Sequence, residues 1–121
     1  MKMRSYEMIE EIKQRPDADR IGMILSHTGM VRGSSRDGRG VEGLVVSVDA
    51  EKLADIINME RQSPGIIDIR VEIESDRPLA VGDEIMRLVV AGDIRENVIP
   101  VLERTLNSIK SSVTKKKECF R

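Results

Sequence analysis

At 121 residues the chain fits one domain, and roughly two-thirds of its unfolded surface can be buried at that size. Its 20 lysines and arginines against 21 aspartates and glutamates leave a net charge of -1, which excludes overall attraction to nucleic acid or an anionic membrane; any cationic site must be local. Only 2% of the residues are aromatic and none is Trp, which removes the stacking platforms that single-strand nucleic-acid binding uses.

The chain opens with a helical pattern over Met3 to Arg15, with Met8, Ile9 and Ile12 on one face and Pro16-Asp17 ending it, so residues 1–16 read as an amphipathic lead-in. A strand is predicted from Arg20 to about Thr28, where Ile21, Met23 and Leu25 alternate with smaller or polar neighbours. A second follows at Val41 to Val48, and the two suggest a hairpin with a long connection. Asp49 is placed to cap a helix with the apolar stripe Leu53, Ile56 and Ile57, which Pro64-Gly65 terminates.

Ile67, Ile69, Val71 and Ile73 alternate with Asp68, Arg70, Glu72 and Glu74, the clearest strand of the sequence, favouring an antiparallel or mixed sheet covered on one side. Turn residues Asp76-Arg77-Pro78 and Gly82-Asp83 lead to another strand, Glu84 to Ala91. Asp93-x-x-Glu96 then resembles a capping box. It precedes a long helix with the stripe Ile94, Val98, Val101, Leu102, Leu106, Ile109 and Val113, and Pro100 inside that stripe predicts a kink. The order ββαββα behind a helix indicates α+β, with packed helices on a mixed or antiparallel sheet.

Two basic segments could carry chemistry. Lys110 and the run Lys115-Lys116-Lys117-Glu118 come directly off the last helix, and a loop containing Gly29, Arg32, Gly33, Arg36, Gly38, Arg39 and Gly40 lies far upstream. Glycines let backbone amides approach an anion, and guanidinium groups make paired hydrogen bonds to phosphate or carboxylate. On composition alone the lysine run reads as a solvated charge cluster and the loop as a hairpin connection. Folded together, they would form a cationic pocket for a phosphorylated or carboxylated ligand. A lysine, at about 10.4 in water, becomes a nucleophile or base only where burial or like charges lower that value. His27, the sole histidine, excludes a multi-histidine metal site and reads as structural at a strand end. The lone Cys119 has no internal disulfide partner and reads as an idle thiol. With no membrane-length apolar run and no signal-peptide core, the expected location is the cytoplasm.

Three ordered segments between about Ile21 and Glu118 carry a family resemblance. His27-Thr28-Gly29-Met30-Val31-Arg32 is similar to a strand-end T-G-x-V-R, Leu79-Ala80-Val81-Gly82-Asp83-Glu84 to an L-x-x-G-D-E turn, and Ile109-Lys110 with Lys116-Lys117-Glu118 to L-K followed by W-K-K-E. Together they resemble the large, catalytic subunit of molybdopterin synthase, the MoaE family, as one domain over residues 1–121. The resemblance implies an α/β-hammerhead fold and a homodimer that binds two small ubiquitin-like (MoaD-like) sulfur carriers in a heterotetramer. The implied reaction moves sulfur from the thiocarboxylate at each carrier's C-terminal glycine into cyclic pyranopterin monophosphate, giving molybdopterin, with no metal or other cofactor. By position, Lys116 and Lys110 take the catalytic places, and Arg32, Lys117 and Glu118 the substrate-binding ones, with Arg39 added from the loop. Two departures stand beside this. Ala91-Gly92-Asp93 occupies the place of the family's A-H-R, where Arg95 would compensate only if the local backbone turned it inward, and Glu74-Ser75 that of another His-Arg, so a non-catalytic adaptor that binds a sulfur carrier or pterin phosphate is the alternative.

Overall fold

Local sequence sets most element boundaries, and tertiary pairing sets the rest. The computed structural model describes residues 2–121; Met1, the first residue of the expected lead-in, lies outside the described residues. The lead-in forms α1 (Ser5–Lys13), its first turn closed by the Glu7 carboxylate, which accepts from the Arg4 amide at 3.0 Å. A 3-10 turn at Ala18–Arg20 delays the first strand, so β1 covers Met23–Met30. β2 spans Val41–Val48 as expected. α2 (Ala50–Glu60) starts under the predicted cap, with the Asp49 carboxylate accepting from the Lys52 amide at 3.1 Å. β3 (Ile66–Ile73), the two-residue β4 (Leu79–Ala80), β5 (Glu84–Gly92), α3 (Arg95–Ser112) and β6 (Thr114–Phe120) complete the order.

Among the described residues the strands form two antiparallel three-stranded sheets, ordered β1-β5-β3 and β4-β2-β6, so the fold is α+β as expected. β5 is central because almost every one of its residues is buried, and a strand apolar on both faces is stable only with neighbours on both edges and layers above and below. One core joins Ile69, Leu88 and Val90 of the first sheet to Leu44, Val46 and Leu79 of the second and to Ile57, Val98, Val101 and Ile109 of α2 and α3. Each fully buried side chain of this size contributes about 1.5–3 kcal/mol. On the other face of β5, Val89 and Ala91 pack against Met8 and Ile12, one turn apart on α1.

Several expectations are corrected. β1 and β2 are not a hairpin: β1 pairs with β5, β2 with β6 and β4, and the connection between them crosses from one sheet to the other. The second face of the β1-β5-β3 sheet is not left open, since α1 packs there on β5 and β1, and on β3 the charged side chains Asp68 and Arg70 are paired, Arg70 also with Glu11 of α1. Asp68, 5% exposed, meets Arg70 Nε at 2.9 Å, Arg15 Nη1 at 3.4 Å and Arg61 Nε at 3.4 Å. Asp93 does not cap α3. Ile94 holds the cap position, and the Asp93 carboxylate accepts from the Ile94 amide at 2.7 Å and from Asn97 Nδ2 at 2.9 Å. Pro100 stands inside α3 without ending it; its missing N–H falls in the second turn, close to the donors that a helix start leaves free. No helix among the described residues is long and apolar enough to cross a membrane.

Candidate functional site

The lysine run is a strand rather than a solvated tail, and this decides where its side chains point. β6 pairs antiparallel with β2 with Lys116 opposite Val46, Lys115 opposite Ser47 and Lys117 opposite Val45. Successive side chains on a strand face opposite ways, so Lys116 shares the inward face of Val46 while Lys115 and Lys117 take the outer one. Glu118 is back on the face of Lys116, one pleat further along, half-buried opposite Leu44.

Lys116 faces a cavity of about 800 Å³. Its floor is apolar, from Val46, Ile73, Ile85 and Met86, and its rim is basic, from Arg32, Arg36, Lys110 and Lys116. Lys110 comes from the last turn of α3, and the two residues between α3 and the body of β6, Val113 and Thr114, fold the chain back so that both lysines look into the same space. Arg32 enters from the loop just after β1. The chain before it is fixed by the Val31 amide, which donates to the Asp83 carbonyl at 2.9 Å, and by the Gly82 amide, which donates to the Val31 carbonyl at 2.9 Å. Gly82 has φ of +92°, the left-handed turn that brings this tie about at no steric cost. Arg36 reaches the cavity because the loop curls on itself: the Ser35 amide donates to the Arg39 carbonyl at 2.9 Å, and the Gly38 amide to the Ser35 carbonyl at 3.0 Å.

No carboxylate of the described residues lines this cavity. The ion pairs among those residues all lie elsewhere, so four cations face a shared concave space without an acid among them. Such an arrangement suits a phosphate- or carboxylate-bearing ligand, whose charge the low-dielectric walls make more strongly felt than water would.

Of the residues singled out from sequence, Arg32, Lys110 and Lys116 are thus brought together. Arg39 is not with them: its guanidinium carbon sits 3.6 Å from the centroid of the Phe120 ring, a cation–π contact that pins the loop to the end of β6. Lys117 and Glu118 are also outside the cavity wall. Arg95 is exposed and pairs with its neighbour Glu96 at 3.3 Å. Cys119 is a free, exposed thiol opposite Gly43.

Two cavity residues were not singled out. Arg36 carried no signal separate from the other loop arginines, because its approach depends on the curl of the loop. His27 reads from sequence as structural, yet it is part of the cavity wall. Its Nε2 is buried without a hydrogen-bond partner. Burial, and then the Lys110 ammonium, hold its proton affinity below the ordinary histidine range. The signal available was its place one residue before the T-G-x-V-R segment.

The family model described as MoaE protein matches residues 3–112, a span that includes Lys110 and stops before Lys116. No curated protein sequence matches the chain. Molybdopterin synthase from Staphylococcus aureus is 24% identical, with a TM-score of 0.76 over 95% of this chain and 84% of that one. Molybdopterin cofactor biosynthesis protein E from Burkholderia multivorans is 20% identical, with a TM-score of 0.77 over 100% and 84%. A protein–protein complex of subunits 1 and 2 of the molybdopterin-converting factor from Helicobacter pylori contains a chain 15% identical, with a TM-score of 0.73 over 98% and 80%. These likenesses share the fold, the model match spans most of the sequence, and the chain therefore belongs to the MoaE protein family, and with it to molybdenum cofactor biosynthesis.

Proposed function

We propose that this protein is the large, catalytic subunit of a molybdopterin synthase, a cytoplasmic homodimer working with a small ubiquitin-like sulfur carrier. In this reading it transfers sulfur from the carrier's C-terminal thiocarboxylate to cyclic pyranopterin monophosphate. One observation carries it: Arg32, Lys110 and Lys116, from three separate elements, converge on one acid-free cavity. Arg32 holds the substrate phosphate, for which the planar guanidinium is suited. Lys116, on a rigid strand, is the reactive lysine that meets the thiocarboxylate, and Lys110 is its partner. Two ammonium groups aimed at the charge that develops during acyl and sulfur transfer lower the barrier without reorganising at the moment of reaction. Arg39, Lys117 and Glu118 keep a substrate role only in an assembly that brings them to the cavity of a second copy, as a homodimer allows.

Reconstitution with a thiocarboxylated carrier and cyclic pyranopterin monophosphate, read out as dithiolene product, tests this. Lys116→Ala should lose about 100-fold or more in turnover, the scale on which removal of one preorganised donor acts. Full turnover in that variant would remove the assignment.

A second reading, an adaptor that binds carrier or pterin phosphate without turnover, is favoured by one corner of the fold. A β-carbon at Gly92 would stand 2.7 Å from the Gly65 carbonyl oxygen and 2.7 Å from Val98 Cγ2, so this backbone leaves no room for the histidine that the family has there. Carrier binding with no product in the same assay would identify it.

A further inference from the structure

His27 is the one side chain in the cavity that can change charge between about pH 5 and 8. It lies on β1 opposite Leu88, and so on the sheet face that looks toward α3 and away from α1. A β-carbon two residues further on, at Gly29, would stand 3.5 Å from His27 Nε2 and 3.4 Å from Met86 Cγ; the imidazole therefore lies along its own strand over the glycine, which also lines the cavity. Nε2 has no protein partner, and a buried ring nitrogen left unpaired costs stability.

The groups that face this ring are all of one sign or neutral. α3 presents Lys110, β6 presents Lys116, and the loop after β1 presents Arg32 and Arg36. β5, β3 and β2 present only Met86, Ile85, Ile73 and Val46. Arg87 of β5 pairs with Thr28, hence on the opposite face, where it donates to the Met3 carbonyl at 3.0 Å and to Glu84 at 3.1 Å. Protonating His27 in the empty cavity thus adds a fifth positive charge to four with no acid nearby. An anion seated among those four offsets part of their charge and so lowers the positive potential that opposes the proton.

We propose that His27 makes this a proton-coupled anion site: a dianionic phosphate or carboxylate ligand and a proton on His27 enter the cavity together, each strengthening the other. The inference rests on the cationic cavity serving as the ligand site of the proposed function, and it adds a specificity. Ligands with two negative charges gain most from the extra cation, so the coupling favours a phosphate monoester over a singly charged carboxylate. Linkage requires the two effects to be equal, so the factor by which the anion strengthens proton binding is also the factor by which the proton strengthens anion binding.

Because the chain has one histidine, its ring protons give one set of magnetic-resonance signals. The experiment titrates those signals from pH 5 to 8 in the full-length protein, with and without sulfate, a dianion that does not itself titrate in this range. Calorimetric sulfate affinities of the wild type and of His27→Phe, which keeps a ring in the wall, are measured alongside. The expected result is that sulfate strengthens proton binding at His27 by about tenfold, within the usual range for coupled sites. Wild-type sulfate affinity should rise by the same factor as pH falls, and His27→Phe should show no such rise. Sulfate that shifts the signals of cavity residues but leaves the His27 midpoint in place overturns the coupling while sparing the cationic site. Sulfate that does not bind at any pH overturns both. The wild-type titration decides the matter even where the variant fails to fold.

Discussion

Charged side chains are used in opposite ways in two regions of this small protein. Around β3 and the facing ends of α1, α2 and α3, acids and bases are matched. Asp68 is ringed by Arg15, Arg61 and Arg70, and Glu60, 1% exposed, takes two hydrogen bonds from Arg104, at 2.7 Å from Nε and 2.6 Å from Nη2. Around the cavity, four cations stand with no acid among the lining residues. The first region serves stability because every buried charge has its partner within the chain. The second leaves its charge to be neutralised by something else, and that is how a structural arginine and a ligand-binding one are told apart when sequence shows only arginines.

The sharpest way to break the comparison is to unmatch the first region. Arg104→Ala leaves the Glu60 carboxylate buried with Ser63 Oγ, 3.1 Å away, as its remaining partner. The loss should be about 3 kcal/mol, at the low end of the range for a broken buried pair because Arg104 itself is half-exposed and water can replace part of it. Urea unfolding measures it. The pH dependence follows from the same contact. Arg104 holds the Glu60 carboxyl below the usual carboxylate range, with burial opposing. The stability from this pair is therefore complete above the ordinary glutamate value and is lost as pH falls through the lowered folded one. In Arg104→Ala that acid-side loss should flatten.

The next test makes the cavity behave like the matched region by supplying the missing charge. A ligand that binds only the folded state stabilises it by about 2.7 kcal/mol at a concentration one hundred times its dissociation constant. Sulfate should therefore raise the thermal midpoint of the wild type more than that of the double variant Lys110→Ala, Lys116→Ala. Comparing the two at the same salt removes the general effect of sulfate on folded proteins. Equal gains in both would mean that the cations do not act on a shared ligand.

How much of this was legible beforehand differs by element, for physical reasons. The Asp49 cap and the alternation from Ile67 to Glu74 were readable because both depend on contacts within one short segment. β6 was not, since the residues Thr114 to Glu118 offer no apolar alternation. It exists because β2 presents a long ladder to pair with, and a row of lysines is tolerated at a sheet edge, where it also discourages further pairing. The β1–β2 hairpin failed for a related reason. Which strand pairs with which is decided by the need to bury β5 on both edges, and neither β1 nor β2 carries that information alone. In the site, Arg32, Lys110 and Lys116 were marked by their motif positions, whereas Arg36 and His27 were revealed only once the loop and the sheet face were in place. The separation of Lys116 from Lys117 likewise needed the strand, since in a helix or a coil adjacent lysines would not have been sorted to opposite faces.

The smallest expected effect is the cost of the cavity's design to the fold itself. Burial and the Lys110 ammonium lower the proton affinity of His27 in the folded state, so as pH falls the unfolded chain binds this proton first. Unfolding free energy rises with pH wherever the unfolded state holds more protons. Stability should therefore decline as pH drops through the ordinary histidine value of about 6.5, and level off below the lowered folded value. That limb begins at a higher pH than the one from Glu60, because the ordinary histidine value lies above the ordinary glutamate value, and the two variants His27→Phe and Arg104→Ala separate them in one series of urea curves. His27→Phe should remove the limb at neutral to mildly acid pH, and saturating sulfate should shrink or invert it in the wild type, because an anion in the cavity favours the protonated ring. A limb unchanged by sulfate would mean that His27 is held neutral by burial alone. Its neighbourhood would then belong with the matched, structural half of the molecule.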